Sequence, residues 1–94
     1  MKIWLDDIRK APDGWTHFFW PEEIYPFLER NMVSEISLDH DLGDDKRGTG
    51  YDIINFLEKL LNEKSVSLPK IYIHTMNSVA KERMIAGIQR LYSY

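Results

Sequence analysis

Four carboxylates and two imidazoles fall at the ends of three short apolar runs. Ile3-Trp4-Leu5 passes into Asp6-Asp7, Ile36-Ser37-Leu38 into Asp39-His40-Asp41, and Ile71-Tyr72-Ile73 into His74-Thr75-Met76-Asn77. Apolar runs that stop at turn signals read as strands leaving a core. If the strands are parallel, all three polar tails emerge on one edge, which is where open α/β sheets bind ligands. Two like charges about 4 Å apart repel by roughly 4 kcal/mol at an effective dielectric of 20, so such a cluster calls for a cation or shifted pKa values. A divalent ion, Mg²⁺ or Mn²⁺, is the simplest resolution, with Asp6, Asp7 and Asp39 as its oxygen ligands. Neighbouring strand residues diverge, so Asp39 and Asp41 share a side and His40 points elsewhere. Imidazole titrates near neutrality, which suits His40 and His74 to serve as base and acid in phosphate-ester cleavage, Asp41 orienting His40 or completing the metal shell.

Other side chains near this edge have the chemistry to hold an anion. Thr75 and Asn77 can donate to a phosphoryl oxygen, and the helix that begins beside them points free N–H groups the same way. Arg9, Lys46 and Arg47 are cations close to the acids in sequence, with Arg9 two residues beyond the first pair. Trp15 and Trp20 can stack on a nucleobase, although packing is the commoner fate of a tryptophan. Each has an ordinary alternative: Thr75 and Asn77 as helix caps, the loop cations as solvated charges, a histidine beside a carboxylate as a plain hydrogen bond. His17, within an aromatic segment, is assigned to structure.

The elements that must position these groups follow from pattern and breakers. The first strand is expected over Lys2–Asp7, central and covered on both faces. Residues 8–14 form a loop with a turn at Pro12-Asp13-Gly14. A second strand follows over Trp15–Trp20, parallel after a degenerate crossover or else antiparallel. Pro21-Glu22-Glu23 opens a helix that Pro26 keeps short or kinked, ending near Arg30. Met32–Leu38 is the third strand. Thr49 and Asp52 form a capping box for a helix over Tyr51–Lys64, whose buried stripe is Ile53, Phe56, Leu57, Leu60 and Leu61. After a linker at 65–69, Lys70–Thr75 is the last strand. Asn77 or Ser78 caps a closing helix carrying Met84, Ile88 and Leu91.

Ninety-four residues allow one domain, 1–94, near the lower limit for a self-sufficient core. A 44% hydrophobic and 13% aromatic composition fits a packed fold rather than a disordered tail. With no cysteine, thiol catalysis and thiolate metal sites are excluded. The net charge of -3 argues against bulk nucleic-acid binding, which needs a basic surface. Met1-Lys2 leads directly into a strand-like run, with no signal-peptide pattern and no 18-residue apolar stretch, so no membrane partner is expected and a cytoplasmic location is the default. There is no G-x-x-x-x-G-K-[ST], G-x-G-x-x-G, G-x-S-x-G or H-E-x-x-H, which removes the common NTPase, dehydrogenase, serine hydrolase and zinc protease classes.

Five segments together resemble the cyclic-phosphate processing receiver domains: Leu5-Asp6-Asp7-Ile8-Arg9, Pro12-Asp13-Gly14-Trp15, Ser37-Leu38-Asp39-His40-Asp41-Leu42-Gly43, Gly50-Tyr51-Asp52 and Ile73-His74-Thr75-Met76-Asn77. The resemblance spans nearly the whole chain. It implies an α/β fold, a small three-layer, mostly parallel four-stranded sheet of flavodoxin-like or receiver-like type. It also implies activity on cyclic phosphates, either cyclic nucleotides or the cyclic ends of RNA. Ordinary receivers hold Mg²⁺ with an acid pair, phosphorylate an aspartate and use a Thr or Ser; Asp6 and Asp7, Asp39 and Thr75 lie at those places. The receiver's fifth strand and its lysine have no counterpart, since Lys81 falls in a helix. The leading expectation is therefore a metal-dependent phosphodiesterase for a cyclic phosphate. Its alternatives are a protein that sequesters a cyclic nucleotide, with the exposed sheet edges building a homodimer, and a degenerate receiver acting through protein contacts. A protein of this kind would suit either side of a nucleotide-signalled defence.

Overall fold

The computed structural model describes residues 1–64 and 66–94, in the order β1 (Lys2–Leu5), β2 (Thr16–Phe18), α1 (Pro21–Glu29), β3 (Glu35–Leu38), α2 (Gly50–Glu63), β4 (Lys70–Ile73) and α3 (Ser78–Leu91). The linker expected at 65–69 is described from Val66 onward, Ser65 lying outside the described residues. The four strands form one all-parallel sheet in the order β2-β1-β3-β4. This is the flavodoxin-like order without its last strand. β2 is therefore parallel, which settles the alternative left open by the short connection before it.

The handedness of crossovers fixes where the helices lie. The steps from β2 to β3 and from β3 to β4 run the same way across the sheet, so right-handed connections put α1 and α2 on one face. The following α3 packs beside α2 on that face. There Ile3, Leu5, Ile36 and Leu38 meet Ile24 and Leu28 of α1, Ile53 and Leu57 of α2, and Met84 and Leu91 of α3 in a single buried cluster. Each such aliphatic side chain contributes roughly 1.5–3 kcal/mol by leaving water.

The step from β1 to β2 runs the other way, and its connection crosses the opposite face without a helix. Two layers of regular structure result instead of the three expected, and β1 is covered by helices on one side only. Trp4, Ser37 and Tyr72 face that second side, where Trp15 packs edge-on against both Trp4 and Tyr72 at 6.3 Å between ring centres. The loop is fastened there by two bonds: the Trp4 indole N–H donates to the Arg9 carbonyl at 2.9 Å, and His17 Nε2 bonds the Asp6 carbonyl at 2.7 Å. His17 is thus structural, as expected.

Helix ends follow their cap residues. Thr49 Oγ1 accepts from the Tyr51 N–H while Asp52 Oδ2 accepts from the Thr49 N–H, so α2 starts at Gly50 through the expected capping box. Asn77 Oδ1 accepts from the Ala80 N–H and starts α3. Pro26 sits inside α1, which stays short. The strands are shorter than expected at their ends, β1 stopping before Asp6 because that carboxylate turns the chain. Among the described residues no helix is long and apolar enough to cross a membrane.

Candidate active site

The carboxyl ends of β1, β3 and β4 open on a cleft of about 580 Å³ lined by Asp6, Asp7, Ile8, Arg9, Asp39, Asp41, Gly43, Thr75, Met76 and Asn77. It sits where strand order reverses direction, at the β1/β3 boundary. Of the residues singled out by sequence, seven line it: Asp6, Asp7, Arg9, Asp39, Asp41, Thr75 and Asn77. Lys46 lies outside the lining on an exposed turn. Arg47 pairs instead with Glu22 at 2.9 Å and lies over the Trp20 ring, and Trp15 belongs to the opposite face of the sheet. These three therefore stand away from the cleft. Lys81, in α3, borders a separate groove beside β4.

Asp6, Asp7 and Asp39 each offer a carboxylate oxygen within 4.8 Å of the others, an all-oxygen donor set suited to a hard divalent cation. They are not equivalent. Asp6 is 1% exposed and its oxygens are already engaged. Oδ1 accepts from the backbone N–H groups of Ile8 and Arg9, both at 2.9 Å, and Oδ2 meets Arg9 Nε at 3.1 Å and His74 Nε2 at 3.0 Å. Burial pushes the Asp6 carboxyl up, but those backbone bonds, His74 and the Arg9 charge outweigh it and hold it below the usual carboxylate value. Asp39 Oδ1 accepts only the neighbouring His40 N–H, with Oδ2 3.9 Å from Arg9, and Asp7 has no hydrogen bond or ion pair among the described residues. The oxygens free for a cation are therefore chiefly those of Asp7 and Asp39. Asp6 acts as the hub that fixes Arg9.

The histidines stand behind this lining. The His74 ring stacks on Trp4 at 3.8 Å with 5° between planes, and its Nδ1 lies 2.7 Å from Ser37 Oγ. A carboxylate can only accept, so a neutral ring meets both contacts with its proton on Nε2, donated to Asp6, and Nδ1 accepting from Ser37. Burial pushes His74 below its ordinary pKa in spite of the Asp6 charge. Its carbonyl also accepts from Arg9 Nη2 at 2.8 Å, tying β4 to the β1 loop. His40 Nδ1 lies 2.8 Å from Asp41 Oδ1, which leaves Nε2 as the basic nitrogen of a neutral ring. This His40 bond acts first among the causes that hold Asp41 below the usual carboxylate range, burial opposing it and Asn77 Nδ2 assisting at 3.2 Å. Asn77 thus caps α3 and clamps Asp41 with one amide.

Two features were not found from sequence. Ser37 and Trp4 lock His74, and strand alternation carries the signal, since Trp4, Ser37 and Tyr72 precede Asp6, Asp39 and His74 by two residues each. Gly50 lets α2 begin against β3: its N–H bonds the His40 carbonyl at 3.0 Å, and a methyl group there would overlap the Asp39 carbonyl oxygen. A family model described as the cyclic-phosphate processing receiver domain matches residues 1–90. No curated protein and no solved structure matches the chain.

Proposed function

The chain belongs to the cyclic-phosphate processing receiver family, and from that premise we propose that it hydrolyses a small cyclic phosphate in the cleft at the β1/β3 boundary. The observation that carries this is the meeting of three carboxylates within 4.8 Å with a fixed guanidinium at one open rim. Asp7 and Asp39 would hold a divalent cation, Mg²⁺ or Mn²⁺, with Asp6 beside them. Such a cation supplies positive charge to the phosphoryl oxygens and makes water more acidic. Arg9, pinned by Asp6 and by the His74 carbonyl, contacts a phosphoryl oxygen, and the Thr75 hydroxyl has a hydrogen to donate beside it. The proton of the attacking water passes to the His40–Asp41 pair through Asp41, the member that lines the cleft. The water oxygen bonds to phosphorus, one ester P–O bond of the ring breaks, and the freed oxygen takes up a proton from the solvent that reaches the open rim. His74 holds Asp6 and Arg9 in place rather than giving up its proton, because both of its ring nitrogens are already bonded.

That engagement of His74 also favours a second reading, in which the ligand is held and not cleaved, since among the described residues no imidazole lines the cleft. Incubation of the protein with nucleoside 2′,3′- and 3′,5′-cyclic phosphates and cyclic dinucleotides, with Mg²⁺, Mn²⁺ or EDTA, separates the two. Metal-dependent turnover lost in Asp39→Asn and His40→Ala supports hydrolysis. Intact nucleotide released on denaturation supports sequestration, and labelling of Asp39 by acetyl phosphate would favour a receiver that signals through protein contacts.

A further inference from the structure

Two large apolar side chains stand at the mouth of the cleft with none of the described residues packed over them. Ile8 is 84% and Met76 88% exposed, the highest values among the large apolar residues described, and both line the cavity. They follow β1 and β4, the strands that flank β3, so they border the Asp39-His40-Asp41 segment from opposite sides. Both backbones are held: the Ile8 N–H by Asp6 Oδ1, and the turn containing Met76 by the Thr75 Oγ1 bond to the Asn77 N–H at 3.2 Å. A cavity near 580 Å³ lies in the range of about 300–1,000 Å³ that takes drug-sized ligands, and a phosphoryl group alone leaves most of it unfilled.

We propose that Ile8 and Met76 clamp the two faces of a nucleobase, so that the ligand is a nucleoside cyclic phosphate with its phosphoryl group at Arg9 and the acids. This rests on the cyclic-phosphate reading above and names the rest of the ligand. The mouth is open to water, so the polar edges of a base stay solvated while its two apolar faces are covered. An aliphatic chain would need an enclosed apolar wall that the lining does not provide. Methionine also makes favourable sulfur contacts with aromatic rings. Ile8 and Met76 touch the base through its faces, so the clamp itself does not read the base edge. Purines and pyrimidines are accepted alike.

The test compares adenosine and uridine 2′,3′-cyclic phosphates with the base-free 1-O-methylribose 2,3-cyclic phosphate in Mg²⁺, reading KM by turnover and Kd by calorimetry. The expected result is a preference for the nucleosides of roughly tenfold or more, similar for both bases, and lost in the Ile8→Ser/Met76→Ser double variant. Exposed positions of this kind tolerate serine without unfolding. Equal affinity for nucleoside and base-free compounds in the parent protein overturns the clamp, as does a preference that survives in the double variant. An oligonucleotide ending in a 2′,3′-cyclic phosphate separates free nucleotide from RNA end: binding weakened by the double variant assigns the clamp to a terminal base, and tight binding indifferent to it overturns the proposal. If the base-free compound binds without turnover, hydrolysis fails while the Kd ratio still decides the clamp. If nothing binds, both fall.

Discussion

Neighbouring acids in this rim have different duties, and substitution should expose the difference. Asp7 has no partner among the described residues, so Asp7→Asn removes a ligand charge and little else. Its expected effect is a loss of Mg²⁺ affinity of about tenfold or more with the unfolding midpoint unchanged, measured by calorimetry and by urea denaturation. Asp6→Asn instead breaks a buried hub and leaves Arg9 and His74 without their acceptor, an imbalance that costs on the order of 3–5 kcal/mol. The same hub gives a pH dependence. The folded pKa of Asp6 lies below 3.8, so its contribution is complete above that value and is lost as pH falls through the lower folded value. The folded pKa of His74 lies below 6.5, so the fold favours the neutral ring, and that contribution is complete above 6.5 and is lost as pH falls through the folded value. In EDTA, stability should be level from pH 8 to about 6.5 and decline below it. His74→Gln should flatten the upper part of that decline, and a wild-type curve level down to pH 4 would contradict the assignment.

At the scale of elements, most of the framework could be read from the chain because its signals are local. Thr49 with Asp52, Asn77 before Ser78, and Pro21 followed by Glu22 and Glu23 announce helix starts through hydrogen bonds within one turn. Three apolar runs ending in polar tails were enough to place the cleft. What stayed hidden depends on relations between distant segments. The orientation of β2 follows from how its segment pairs with β1, which no local pattern carries. Arg47, near the acids in sequence, is directed elsewhere by Glu22 and Trp20, and Trp15 by the Trp4–Tyr72 face, while Lys46 stays on an exposed turn. Gly50 makes the sharpest prediction here. Because α2 starts against the Asp39 carbonyl, Gly50→Ala must push the helix off β3, a strain of about 1–3 kcal/mol or more that also displaces Asp39, the proposed cation ligand. Asn77→Ala should cost about 1 kcal/mol through the lost cap and loosen Asp41 as well, so its effect on turnover should exceed its effect on stability. Equal losses would show that Asn77 only caps.

For the molecule as a whole, a chain of 94 residues has little stability to spare, and its rim sets Asp6, Asp7, Asp39 and Asp41 against one guanidinium. The helical face is a complete core, whereas the other face is closed by a loop and a few aromatic rings, so there is no second core to absorb that repulsion. A cation at the rim should therefore act as a structural element. Ligand that binds only the folded state stabilises it by RT ln(1 + [L]/Kd), about 2.7 kcal/mol at a hundredfold excess over Kd. For a domain of this size that corresponds to a rise of roughly 10–20 °C in the thermal midpoint. The expectation is a rise with log Mg²⁺ concentration that Na⁺ at equal ionic strength does not reproduce, because screening acts on exposed charges and not on a coordinated ion. Arg9→Gln removes the internal cation, so it should lower the midpoint in EDTA and steepen the Mg²⁺ dependence. If the midpoint instead ignores Mg²⁺ in both proteins, the rim holds no cation even without Arg9, and the phosphate would have to be held by the guanidinium alone.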